Sequence, residues 1–234
     1  MRPIIDETSG GNRVWRVLQK YNSVSQTTLD GKPLPDRVEG KTFFTFDKTF
    51  GEDATTSQVY EKFVRNIIVS SVVDGTDAVI VACGSASSGK TFTMQGIREQ
   101  DPSTKGVIHL AARDMFTHIA ADTARDYSVQ ACCAEVCNDQ LHDLFTDSSD
   151  VMLTSHSMLS THDVADVNSI ASLFSKGVQN RTAESTMVLR IRVKSQKKDS
   201  ESPDFDPTKA TSTLFFIDLA DTNKPGESKE RYVA

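Results

Sequence analysis

Residues Gly84-Ser85-Ala86-Ser87-Ser88-Gly89-Lys90-Thr91 carry the densest chemical signal in the chain. They fit G-x-x-x-x-G-K-[ST], a loop whose successive backbone N–H groups curl around phosphate oxygens at a helix N-terminus. Gly84 and Gly89 let the main chain approach the oxygens, and Ser85, Ala86, Ser87 and Ser88 supply amides. The Lys90 ammonium reaches the β- and γ-phosphates, and the Thr91 hydroxyl can ligate Mg²⁺. The chemistry implied is binding of ATP or ADP with Mg²⁺. A second feature supports it: LFFIDL is an apolar strand ending on Asp218. In nucleotide-binding proteins of this type, an aspartate so placed helps hold the metal opposite the hydroxyl of the loop. An aspartate at a strand end, taken alone, more often only starts a loop; the pairing with 84–91 makes the case.

Such a loop needs a strand before it and a helix after it. DAVIVACG (77–84) is a short apolar run ending in glycine, the pattern of a central strand buried on both faces. GKTFTMQG then opens a helix. The rest of the chain reads as alternating elements. KTFFTFDKTF (41–50) is a strand entering a loop. Residues 55–75 form a helix capped by Thr55 or Thr56 and ended by Gly75. Helix 106–121 buries Val107, Leu110, Ala111, Met115 and Ile119. YSVQACCAEVCN (127–138) is a strand and DQLHDLF (139–145) a helical turn. Helix 166–181 carries Val167, Ile170, Leu173, Phe174 and Val178 on one side. MVLRIRVKSQ (187–196) alternates as a strand, and STLFFIDLAD (212–221) is a last buried strand. KKDSESPDFDPTKA (197–210) is polar with two prolines and reads as a flexible loop. The fold class expected is α/β, a three-layer sandwich of the P-loop NTPase type, with helices on both faces of a mixed central sheet. The 234 residues are expected to form one domain.

Composition narrows the partners. The net charge is −6 and the pI about 5.4, which argues against broad attraction to nucleic acid or anionic lipid. No run reaches the roughly 20 apolar residues of a membrane-spanning helix, and MRPIIDETSGG is not a secretory signal. A cytosolic or nuclear protein is the default, and a cytoplasmic one is expected. Cys83, Cys132, Cys133 and Cys137 show no zinc-type spacing and read as buried reduced thiols, and no histidine is assigned to a metal.

Several stretches together resemble the kinesin motor domain. GSASSGKTFTMQG is similar to the family's GQTxSGKTxTMxG, and FTFDKTFGEDATTSQVYEKFVRNIIVSSVVDGTDAVIVACG to the segment leading into it. ACCAEVCNDQLHDLF resembles xExYNExxxDLL, and LFFIDLA resembles the switch II strand ending DLAGSE. VWRVLQKYNSVSQ, with Trp15, is similar to the centromere-protein-E-like kinesins. The resemblance covers nearly the whole chain. It implies an ATP-hydrolysing motor that moves on microtubules, located with the cytoskeleton. It further implies that Arg2 and Pro3, similar to the end of the family's RxRP, flank the adenine. Phe92 would sit beside the base too, with plain core packing as the alternative. Asp218 would stand just outside the metal's direct ligands.

Four departures temper the motor reading. The family's first strand is expected to be missing apart from its end at Arg2-Pro3. The switch I motif NxxSSRSH is absent: either Thr182-Ala183-Glu184-Ser185-Thr186 takes its place, without the key hydroxyl and with Glu184 for arginine, or NRTAEST matches an earlier stretch and the motif is deleted. Switch II reads DLADTN, which sets Asp221 at the glycine that meets the γ-phosphate. A carboxylate about 5 Å from a phosphate charge costs about 3 kcal/mol at an effective dielectric near 20. Asn223 replaces the glutamate that would pair with the missing arginine. Finally, the main microtubule-binding helix and the neck linker are expected to be missing after Ala234. The expectations are therefore a kinesin-like ATP-binding, microtubule-based motor domain or, as alternative, a non-motile nucleotide- or partner-binding relative with little hydrolysis. A partial gene product that folds poorly and a small-molecule kinase with the same loop are weaker readings. No residue is singled out as catalytic.

Overall fold

The computed structural model describes residues 15–27, 32, 43–96, 104–138, 140–145, 159–182, 185–198 and 211–220. The chain divides into two compact units between Phe63 and Val64.

In the first unit, β1 (Trp15–Leu18), β2 (Ser23–Gln26) and β3 (Phe43–Thr45) form an antiparallel sheet in that order. A 3₁₀ turn at Gln19–Tyr21 joins β1 to β2, and Asn22 closes it in the left-handed region at φ 47°. Asparagine tolerates that conformation because its short amide bonds locally. Trp15 lies against Phe44 with ring centroids 5.9 Å apart. The strand expected over 41–50 is thus short, and β1 and β2 are strands beyond those expected. The helix expected over 55–75 begins as α1 (Thr56–Val59) on a complete capping box. The Thr55 hydroxyl accepts from the Gln58 amide, and the Gln58 side chain accepts from the Thr55 amide. A π-helical turn, Tyr60–Val64, comes next.

In the second unit, α2 (Arg65–Asp74) ends on Gly75 at φ 69°, as its sequence signals. β4 (Ala78–Ala82) leads to α3 (Lys90–Gln95), and α4 (Val107–Ala121) comes after it. The Arg65 guanidinium reaches from α2 to the Asp114 carboxylate of α4 at 3.0 Å. Then come β5 (Arg125–Cys137), β6 (Gln140–Asp143), β7 (His162–Asp163), α5 (Val167–Asn180), β8 (Thr186–Lys197) and β9 (Thr211–Asp218). The sheet order is β4-β9-β8-β5-β6, with β7 also paired to β5. β4 and β9 are parallel and the other pairs antiparallel, so the sheet is mixed. α2 and α3 contact β4 and β9, and α5 contacts β5. α5 is capped by Asp166, which accepts from the Ser169 amide at 2.7 Å. Gly177 lets α5 come close: a Cβ there would lie 2.8 Å from Cys133 Sγ. The core centres on Cys133, Ile170, Met187, Leu189, Ile191, Leu214 and Phe216, all at most 1% exposed.

Three expectations need correction. DQLHDLF does not form a helical turn: Gln140–Asp143 is a strand against β5. Asn138, left-handed at φ 51°, reverses the chain, and Cys137 pairs with Gln140. β4 is not buried on both faces. Among the described residues it pairs only with β9, and Val79 and Val81 are exposed. Cys83 is exposed rather than buried and Cys137 is only half-buried, although Cys132 and Cys133 are core thiols that burial pushes above the usual thiol range. The loop expected over 197–210 falls, from residue 199 on, outside the described residues.

Candidate nucleotide-binding site

β4 delivers the chain to the phosphate loop, which three positive-φ backbone positions shape. Gly84 has φ 147°, Ser87 φ 58° and Gly89 φ 91°. The φ of Gly84 is one that L side chains rarely adopt, and a Cβ there would also lie 2.7 Å from Ser88 Oγ, so the position favours glycine. The Ser88 amide donates to the Ser85 carbonyl at 3.2 Å and tightens the loop. Gly89 caps α3, and its carbonyl accepts from both the amide and the hydroxyl of Thr93 at 2.9 Å. Ala86 lies on the same turn. The Lys90 ammonium folds back and donates to the carbonyls of Gly84 and Ser85 at 2.9 and 3.0 Å. It therefore spans the loop's mouth, where a phosphate oxygen would compete for it.

β9 brings Asp218 to the other side. Parallel pairing sets Asp218 beside Ala82, the last residue of β4, and the Leu219 amide donates to the Ala82 carbonyl at 3.2 Å. The Thr91 hydroxyl donates to Asp218 Oδ2 at 2.7 Å. Asp218 is 2% exposed, and its Oδ1 is buried without a hydrogen-bond partner among the described residues. A buried carboxylate oxygen with no donor is a costly state that a cation relieves. Thr91 Oγ1 and the Asp218 carboxylate are hard oxygen donors of the kind Mg²⁺ takes, so the residues fit such an ion.

A second cluster backs the first. At the end of α5, the Arg181 guanidinium donates to Asp218 Oδ2 at 2.9 Å and to the Ser185 carbonyl at 3.1 Å. Thr182 donates to Glu135 Oε2 through its amide at 2.7 Å and its hydroxyl at 3.0 Å. The Ser185 hydroxyl donates to the Thr182 carbonyl at 3.0 Å. Burial alone would raise the Glu135 carboxyl, but donors on Ser185 and Thr182 outweigh it and hold the group below the usual carboxylate range. The Thr186 hydroxyl accepts from the Ala220 amide at 3.0 Å.

The fold thus brings Gly84–Thr91 and Asp218 together. Phe92 is exposed on α3, so it is no core residue. Arg2, Pro3, Ala183, Glu184, Asp221 and Asn223 lie outside the described residues. Arg181 and Glu135 gain roles that the sequence alone does not assign them. Both stand in stretches that carry the family resemblance, but neither has a local pattern that announces its distant partner.

A family model described as Kinesin motor domain matches residues 1–232. The chain is 34% identical to the kinesin-like protein KIN-7A of Arabidopsis thaliana over 130 residues, 55% of this chain and 12% of that protein. It is 27% identical to KIN-7H of the same plant over 248 aligned positions, 97% of this chain and 22% of the relative. It spans under a quarter of the length of these relatives. A solved chain described as "Structure of a fast kinesin: Implications for ATPase mechanism and interactions with microtubules" superposes with a TM-score of 0.77 at 18% identity. That match covers 99% of this chain and 67% of the other, and it establishes the shared fold. With the phosphate loop and its strand in the same places as the motifs that suggested them, the chain belongs to the kinesin motor-domain family.

Proposed function

We propose that this chain is a nucleotide-binding, microtubule-based motor domain of the kinesin type that takes ATP and ADP with Mg²⁺ at Gly84–Thr91 and Asp218. It would act in the cytoplasm on the microtubule cytoskeleton, with tubulin as partner. Nothing points to nucleic acid, and no described helix is long and apolar enough to cross a membrane. The observation that carries the reading is the Thr91–Asp218 hydrogen bond of 2.7 Å beside the unpartnered Asp218 Oδ1, facing a loop spanned by Lys90. Amides of Ser85 to Gly89 would bind the phosphates, and Lys90 would exchange its carbonyl partners for phosphate oxygens. Thr91 and Asp218 would hold the metal, and Arg181 keeps the Asp218 carboxylate oriented. Bound Mg²⁺ supplies neutralisation of phosphate charge. Arg2, Pro3 and the exposed Phe92 would flank the base.

A second reading, nucleotide binding with little hydrolysis, rests on the connection from α5 to β8. Only residues 181–185 lie between the two elements, and Thr182 is tied back to Glu135. Calorimetric titration with Mg·ADP tests the common part: saturable binding is expected, lost in Lys90→Ala, and flat heats for the parent chain would end both readings. Phosphate release from ATP, measured with and without microtubules, separates them. Stimulation supports the motor; binding without stimulation supports the second reading.

A further inference from the structure

We propose that the first unit carries an anion site of its own, selective for hydrogen phosphate, that uses no residue of the phosphate loop. A cavity of about 240 Å³ there is lined by, among others, Gln19, Asn22, Lys48, Thr49, Asp53 and Lys62. Two separate observations point to a ligand.

Thr49 is nine-tenths buried, and its hydroxyl has no hydrogen-bond partner among the described residues. Its amide makes only a long bond, 3.4 Å, to Asn22 Oδ1. Buried hydroxyls nearly always find a partner, so this one is left with unmet hydrogen-bonding capacity beside the cavity it lines. Next, Lys48 from the coil after β3 and Lys62 from the π-helical turn converge on the cavity from different elements. Neither pairs with a described carboxylate, although Asp53 lines the same cavity. Beside the cavity, Gly51 makes way for the side-chain ends of two lining residues. A Cβ built there would meet Asp53 Oδ1 at 2.5 Å and Gln19 Nε2 at 2.9 Å. Gly51 is not in the left-handed region, so its missing side chain answers to this space and not to backbone strain.

The mixture of groups selects the anion. Two ammonium groups and the Gln19 amide attract an oxyanion. The Asp53 carboxylate repels one that is fully ionised but accepts a hydrogen bond from one that keeps an O–H. At neutral pH inorganic phosphate is a mixture of H₂PO₄⁻ and HPO₄²⁻, and both have that hydrogen. Sulfate has none, and a phosphomonoester, with its second pKa near 6, is mostly without it.

The test is residue-resolved NMR of the full isotope-labelled chain at neutral pH and constant ionic strength, titrated with inorganic phosphate, sulfate or phosphoserine. Saturable amide shifts at Asn22, Thr49 and Asp53 are expected with phosphate, at concentrations roughly tenfold lower than with sulfate or phosphoserine. Phosphate captured by the nucleotide loop would move the amides of 84–91 instead, so the two sites read out separately. Gly51→Ala should weaken the first-unit shifts about tenfold without lowering the melting temperature, because the atoms it displaces are the ends of flexible side chains. Asp53→Asn should bring phosphate and sulfate to within about twofold of each other. Equal binding of sulfate and phosphate by the parent chain, or shifts confined to 84–91, would overturn the proposal.

Discussion

The phosphate loop and the connection Arg181–Ser185 both serve Asp218, but they are built in opposite ways. The loop owes its shape to main-chain conformation: glycines at 84 and 89 hold dihedral angles that side chains resist. Its lysine rests on carbonyls five and six residues away in the sequence. The described ends of the connection are held instead by side chains that reach far along the chain, Arg181 to Asp218 and Thr182 to Glu135. A backbone-built site stays open to a ligand. A site built from interlocked side chains is already satisfied, and moving it means breaking those bonds first.

Removing the residue shared by both regions should have the largest effect. Asp218→Ala leaves the Arg181 guanidinium, itself only 14% exposed, without its carboxylate. Loss of one member of such a pair is expected to cost about 3 kcal/mol in denaturant unfolding. A loss under half that size would mean that Arg181 finds water or another acceptor, and that the two regions are less coupled than their geometry suggests. Next is Gly84→Ala. It forces a side chain into φ 147° and against Ser88, at a cost of roughly 2 kcal/mol. The expected signature is weaker Mg·ADP binding with the hydrogen exchange of Thr182 and Ser185 amides unchanged. Changes spreading to those amides would erase the contrast between the regions.

The mildest change is Glu135→Gln, which keeps the shape but weakens the acceptor for two donors from Thr182. A destabilisation of about 1 kcal/mol is expected, with nucleotide binding by the loop retained. Its pH dependence has a definite sign. The folded Glu135 carboxyl lies below its ordinary value near 4.5, so its stabilisation is complete above that value and fades as pH falls through the folded one. The stability gap between parent and variant should be constant from neutral pH to about 5 and close below about 4.5. A gap independent of pH would mean that the carboxylate's charge is not what holds Thr182.

The same contrast explains how much of the molecule is legible in its sequence. Gly84, Gly89, Lys90 and Thr91 are legible because a local main-chain path demands those residue types at fixed spacing. Asp218 is legible from a strand that ends on it. The caps at Thr55, Gly75 and Asp166 arise from short-range chemistry in the same way. Glu135 and Arg181 are not, because their partners lie 47 and 37 residues away and are chosen by the sheet's pairing. The apolar spacing of Gln140–Asp143 suits a helical turn as well as a strand, and the hairpin at Asn138 decides for the strand. The exposure of β4 is hidden for a similar reason: an apolar run reports the strand, whereas the number of its neighbours is a property of the whole sheet.

The parallel seam between β4 and β9 matters for the loop that leaves it. It sets Ala82 level with Asp218, and the Leu219 amide ties the two strand ends together at 3.2 Å. The turn that follows one strand and the carboxylate that ends the other thus share a single anchorage. A slip of either strand along its neighbour would put the two halves of the site out of step.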